Sequence, residues 1–107
     1  METQLNQYRV DFETVLWQIP MPGVRHKFVN RDNVKLRLVE YAKEMEPHWC
    51  SRGHVGMVLE GRFEIRYDTV TEVYKPGDGV LIPSGEQHRH MGVVLTDTVL
   101  CVFVEET

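Results

Sequence analysis

Short runs in which apolar and polar residues alternate recur along the chain, and no long stretch carries helical periodicity between caps. Val34-Lys35-Leu36-Arg37-Leu38-Val39 alternates apolar with basic side chains, and Arg62-Phe63-Glu64-Ile65-Arg66-Tyr67 sets Phe63, Ile65 and Tyr67 on one face. Both read as strands with one face packed and the other in water. The same pattern predicts strands over Val24–Val29, His54–Leu59, Val70–Lys75, Gly79–Ile82, Gln87–Leu95 and Val99–Glu105. Turn chemistry separates them. Pro76-Gly77 fits the centre of a type II turn, Glu60-Gly61 and Asp68-Thr69 punctuate neighbouring strands, and Pro83-Ser84-Gly85 breaks the chain again. Many short strands at close spacing predict an all-β sandwich or barrel. Phe12–Ile19, with Trp17, reads either as an extra edge strand or as an arm on a partner subunit. Residues 1–33 are thus expected to form an N-terminal strand or arm, packing on the barrel or on a dimer partner, and residues 34–107 the barrel.

Composition narrows the class. The 107 residues allow one domain, and 42% hydrophobic with 26% charged residues is an ordinary globular balance. Twelve basic against sixteen acidic residues give a net charge of −4, and the absence of a basic run argues against a nucleic-acid partner. No apolar run has membrane-spanning length, and Met1 to Val10 is polar and acidic, so a cytoplasmic, unprocessed chain is expected. Two cysteines, Cys50 and Cys101, are too few for a disulfide framework and read as reduced thiols.

The five histidines carry the chemistry, because four of them fall between His48 and His90. His48-Trp49-Cys50 places His48 and Cys50 on one face of an extended chain, with Trp49 pointing away. Ser51, Arg52 and Gly53 can bend His54 back to the same side, and His88 opens another strand after the Pro83-x-Gly85 turn. Imidazole and thiolate are zinc ligands and also suit other late first-row metals, so His48, Cys50, His54 and His88 read as a mononuclear metal site. His90 shares the face of His88 in a regular strand and is the candidate acid/base or cavity-lining group. Gly56, on the face of His54, leaves room in the lumen. His26 and Cys101 read as bystanders, the first at the surface and the second in the core. Trp17 and Trp49 read as cavity or dimer anchors, and Glu86 and Arg89 as a solvated rim pair.

These residues resemble the cupins, small jelly-roll barrels with two metal-binding motifs. Gly77-x5-Pro83-x-Gly85-x2-His88 is similar to the second motif, although Gly92 stands where the family has Asn. Met57-Val58-Leu59-Glu60-Gly61 is similar to the close of the first. There the ligands depart from the pattern: His48 takes the first His position, Cys50 the second and His54 the place of Glu. The variant looks like the small-cupin branch named for a His-Cys-Trp signature. The resemblance implies a cupin-like double-stranded β-helix, one divalent metal, and a homodimer with the N-terminal strands as the contact. The softer donor set turns the expected metal toward zinc, with iron, nickel or copper as alternatives. Two roles stay open. One is a metal-dependent enzyme acting on a small polar metabolite as dioxygenase, isomerase or hydrolase. The other is a noncatalytic binding or sensor module, favoured if four side chains close the metal shell.

Overall fold

Alternating β-branched and aromatic residues form strands as predicted, and their pairing places one end of a barrel around the histidines. The structure, a computed structural model, describes residues 5–6 and 8–106. Expectations for residues 1–4, 7 and 107 lie outside the described residues. In chain order the strands are β1 (Leu5–Asn6), β2 (Arg9–Val10), β3 (Gln18–Met21), β4 (Val24–Arg31), β5 (Val34–Ala42) and β6 (His54–Glu60). There follow β7 (Phe63–Arg66), β8 (Thr71–Tyr74), β9 (Gly79–Ile82), β10 (Met91–Val94) and β11 (Thr98–Glu106). Single 3-10 turns cover Phe12–Thr14 and Glu86–His88. A six-stranded sheet, β3-β4-β5-β11-β6-β9, faces a three-stranded one, β10-β7-β8, in a jelly-roll barrel.

The turns obey their residues. Asp78 N–H donates to the Lys75 carbonyl at 3.0 Å with Gly77 at φ +93°, the type II geometry expected of Pro76-Gly77. Tyr67 N–H donates to the Val70 carbonyl across Asp68-Thr69. Two expectations need correction. The stretch Phe12–Ile19 splits into the first 3-10 turn and the start of β3, because the Asp11 side chain caps the turn by accepting from Glu13 N–H. Gln87–Leu95 is a strand only from Met91, its first residues being held in the second turn by His88 N–H donating to the Gly85 carbonyl.

The core fills the space between the sheets. Val39, Val58, Val99, Cys101 and Phe103 of the large sheet meet Phe63, Ile65 and Val94 of the small one. Cys101 is fully buried, as its apolar run predicts, and burial pushes its thiol up to about 12. Both cysteines are free. In β5 the period-two pattern holds but its facing is reversed: Arg37, Val39 and Tyr41 line the inner face, while Leu36 and Leu38 turn outward. On the outer surface Tyr8 and Val10 line a shallow groove with Val29, Val34 and Leu36. Nearby, Lys27 Nζ donates to the Phe12 carbonyl at 2.7 Å, and Trp17 lies under Arg25 at 4.2 Å and Lys27 at 4.5 Å. Within the chain the N-terminal segment therefore touches β4. No helix among the described residues is long and apolar enough to cross a membrane.

Gly56 is required by packing rather than by the lumen. A Cβ there would sit 1.9 Å from the Val102 carbonyl oxygen and 2.7 Å from the Phe103 ring, and the residue does not line the cavity. Gly56→Ala is therefore expected to lower unfolding free energy by about 2–3 kcal/mol in chemical denaturation. A loss under about 0.5 kcal/mol, within the range of surface changes, contradicts this packing. The raised Cys101 pKa sets the sign of an alkaline effect: the unfolded thiol ionises near 9.0 and the buried one only near 12. Stability is thus complete below pH 9.0 and falls as pH rises toward 12. Cys101→Val flattens the onset of that decline, and an unchanged alkaline profile in the variant contradicts the assignment.

Candidate functional site

A cavity of about 350 Å³ opens between the sheets, and its wall combines histidines with apolar side chains. The residues at its polar end come from two irregular segments and one strand. Cys50 and His90 form an isolated antiparallel bridge, with Cys50 N–H donating to the His90 carbonyl at 2.8 Å and His90 N–H to the Cys50 carbonyl at 2.9 Å. Directly opposed residues share a face, so both side chains enter the cavity. Two further bonds tie the segments together: Gly53 N–H donates to Ser84 Oγ at 2.8 Å, and Gly85 N–H to the Ser51 carbonyl at 2.9 Å. A Cβ at Gly53 would meet the Ile82 carbonyl oxygen at 2.3 Å, so this approach requires glycine. His54 then opens β6 opposite Ile82 of β9.

The rings of His54 and His90 lie 5.4 Å apart, edge to face, and His54 stacks on Phe103 at 4.6 Å. His90 is only 5% exposed. His54 Nδ1 and His90 Nε2 are buried without a hydrogen-bond partner among the described residues. Burial, and then the neighbouring His90 and Arg37, hold the His54 pKa down at about 4, so the ring is neutral at pH 7. The other nitrogen of His90, Nδ1, donates to the His88 carbonyl at 3.1 Å, since a carbonyl can only accept. His48 Nδ1 makes the same kind of bond to the Glu46 carbonyl at 3.3 Å. Cys50 Sγ accepts from Arg52 N–H at 3.4 Å.

Of the four ligands read from sequence, His48, Cys50 and His54 line this cavity and His88 does not. The second 3-10 turn takes His88 off the strand and leaves the inner position to His90, two residues on. Among the described residues no three His, Cys, Asp or Glu side chains stand close enough together to hold a metal as they are placed. His26, read as a surface residue, lines the cavity because β4 pairs it with fully buried Val39. The signal was present in Val24-x-His26-x-Phe28, whose apolar members share its face. Sequence reasoning also missed Arg37, Arg52 and Tyr41, all in the wall. Trp49 faces outward as expected, 44% exposed under the Arg89 guanidinium at 4.6 Å. Arg89 pairs with Asp68 at 2.8 Å rather than with Glu86.

A family model described as the cupin domain matches residues 37–104. No curated protein matches the chain. Solved structures with the same fold include an RmlC-like cupin from Shewanella frigidimarina, 20% identical, with 94% of this chain and 93% of that one covered at a TM-score of 0.72. The polyketide cyclase RemF from Streptomyces resistomycificus is 24% identical, with 92% and 78% covered and a TM-score of 0.72. A sugar phosphate isomerase of the cupin superfamily from Silicibacter pomeroyi is 18% identical, with 90% and 73% covered and a TM-score of 0.69. With the jelly-roll barrel and the Gly77-to-His88 motif on its rim, the match across residues 37–104 means that this chain belongs to the cupin domain family.

Proposed function

We propose that this cupin holds one divalent transition metal, zinc by preference, at the histidine end of its cavity and binds a small organic molecule beside it. The observation that carries this reading is the pair of buried, unpartnered imidazole nitrogens on His54 and His90. A buried polar atom without a hydrogen bond costs about 1–3 kcal/mol, and two on adjacent rings mark a place for a ligand.

The bonds behind the rings support the same reading. His90 and His48 each give their Nδ1–H to a backbone carbonyl, which leaves Nε2 bare, the arrangement in which metal-bound histidines are held. His54, kept neutral by burial, offers a lone pair at pH 7. His54 and His90 therefore form the fixed part of the donor set, and His48 and Cys50, on the irregular segment before β6, complete it. His90 stands where the sequence pattern pointed to His88. When bound, a metal here supplies electrophilic polarisation of a ligand oxygen. The chain itself orients the imidazoles and keeps water from the apolar wall.

The order His48-Trp49-Cys50 supports placing the chain in the small-cupin branch named for His-Cys-Trp. A polyketide cyclase and a sugar phosphate isomerase share the barrel, which supports a role in handling small organic molecules.

Co(II), used as a spectroscopic stand-in for zinc, tests the donor set in the purified chain. His54→Ala and His90→Ala are each expected to weaken Co(II) binding by about a hundredfold or more, whereas His88→Ala changes it less than about threefold. A thiolate charge-transfer band lost in Cys50→Ser accompanies binding. Unaltered Co(II) affinity in His54→Ala and His90→Ala, or equal losses in His88→Ala and His90→Ala, would sink this assignment.

A further inference from the structure

The cavity wall holds a second polar cluster that the metal reading leaves unused. Arg37 enters from β5 directly opposite Phe103 of β11, and its guanidinium is gripped from two sides. Glu105 accepts from Nε at 3.1 Å and from Nη2 at 2.6 Å, and Nη1 donates to His26 Nδ1 at 3.2 Å. Arginine offers only donors, so His26 accepts at Nδ1 and carries its proton on Nε2. Three of the five guanidinium N–H groups are thus engaged, and two have no partner among the described residues. The Arg37 side chain is 16% exposed, so these two donors are held in place rather than sweeping through solvent.

The surroundings define what they would receive. Arg37 and Arg52 line the cavity, and among the described residues no carboxylate does. The rest of the wall is largely apolar, with Met45, Ile65 and Val80 all buried. Its volume of about 350 Å³ falls within the range that encloses small molecules. A carboxylate matches the planar fork of a guanidinium, and burial of both strengthens that contact.

We propose that the cavity takes a small organic carboxylate with an apolar body, its oxygens received by the two remaining N–H groups of Arg37 and its body packed on Met45, Ile65 and Val80. This rests on the small-molecule reading of the cavity but not on the presence of the metal.

Calorimetric titration of the full chain, stripped of metal by EDTA, compares phenylacetate with phenylacetamide, phenethylamine and acetate. Phenylacetate is expected to bind about tenfold or more tightly than each of the others, because only it has both the charge and the apolar body. The double variant Arg37→Met, Glu105→Met removes the ion pair together and leaves no buried charge unpaired. In it the preference for phenylacetate over phenylacetamide disappears while Co(II) uptake persists. Arg37→Lys keeps the charge, loses the fork, and cuts the preference about threefold or more. It carries the test should the double variant not fold. Equal binding of acid and amide, no binding of either, or an undiminished preference in these variants overturns the proposal. Phenylacetate selectivity in a chain that takes up no Co(II) supports it and sinks the metal reading alone.

Discussion

The ring of Phe103 lies between His54, stacked at 4.6 Å, and the Arg37 guanidinium, 5.9 Å from its centroid, and its strand is hydrogen-bonded along both edges. Through it the histidines and the guanidinium of the cavity wall share one support. β11 pairs with β5 over its whole length and with β6 through Gly56, so the ring cannot move without disturbing both neighbours. Gly56 makes the approach possible, since any side chain there would collide with β11. A fully buried aromatic ring in a close-packed core is a rigid spacer. Burial also gives the site its electrostatic character, because it keeps His54 neutral beside a cationic guanidinium.

The bridge between Cys50 and His90 works from the opposite side. Two irregular segments, each interrupted by glycine and serine, meet there and are locked by four hydrogen bonds. The inner face of the bridge carries thiol and imidazole, while the outer face carries Trp49 under Arg89, which is itself anchored on Asp68. Exposed contacts of this kind contribute little to stability. The resulting cavity combines imidazole and thiol donors, a cationic fork beside Phe103 and apolar wall residues, a combination suited to an amphipathic anion.

Much of this was legible in the chain. The strands, the Pro76-Gly77 turn, the buried Cys101 and the grouping of His48, Cys50 and His54 follow from alternation, turn chemistry and spacing. What was hidden has physical causes. The facing of β5 reversed because its pairing with β4 and β11 turns Val39 into the core, so Leu36, which period-two reasoning treats as inward, lies on the outer face. His26 looked superficial for the same reason: alternation gives the period, and only the partner strand decides which side is inside. His88 is off the cavity wall because a single 3-10 turn, invisible to alternation, holds it outside the strand, while His90 keeps the inward phase that alternation gave it. Gly56 was read as lumen space when its lack of a side chain serves a neighbouring backbone.

The anomalous difference map of crystals grown with zinc tests the donor set most directly. A single lumen peak is predicted, about 2.0–2.1 Å from nitrogens of both His54 and His90, with Cys50 sulfur near 2.3 Å where it joins. A lumen peak bound to His88 instead of His90, or no peak beside His54 and His90 at saturating zinc, would contradict it.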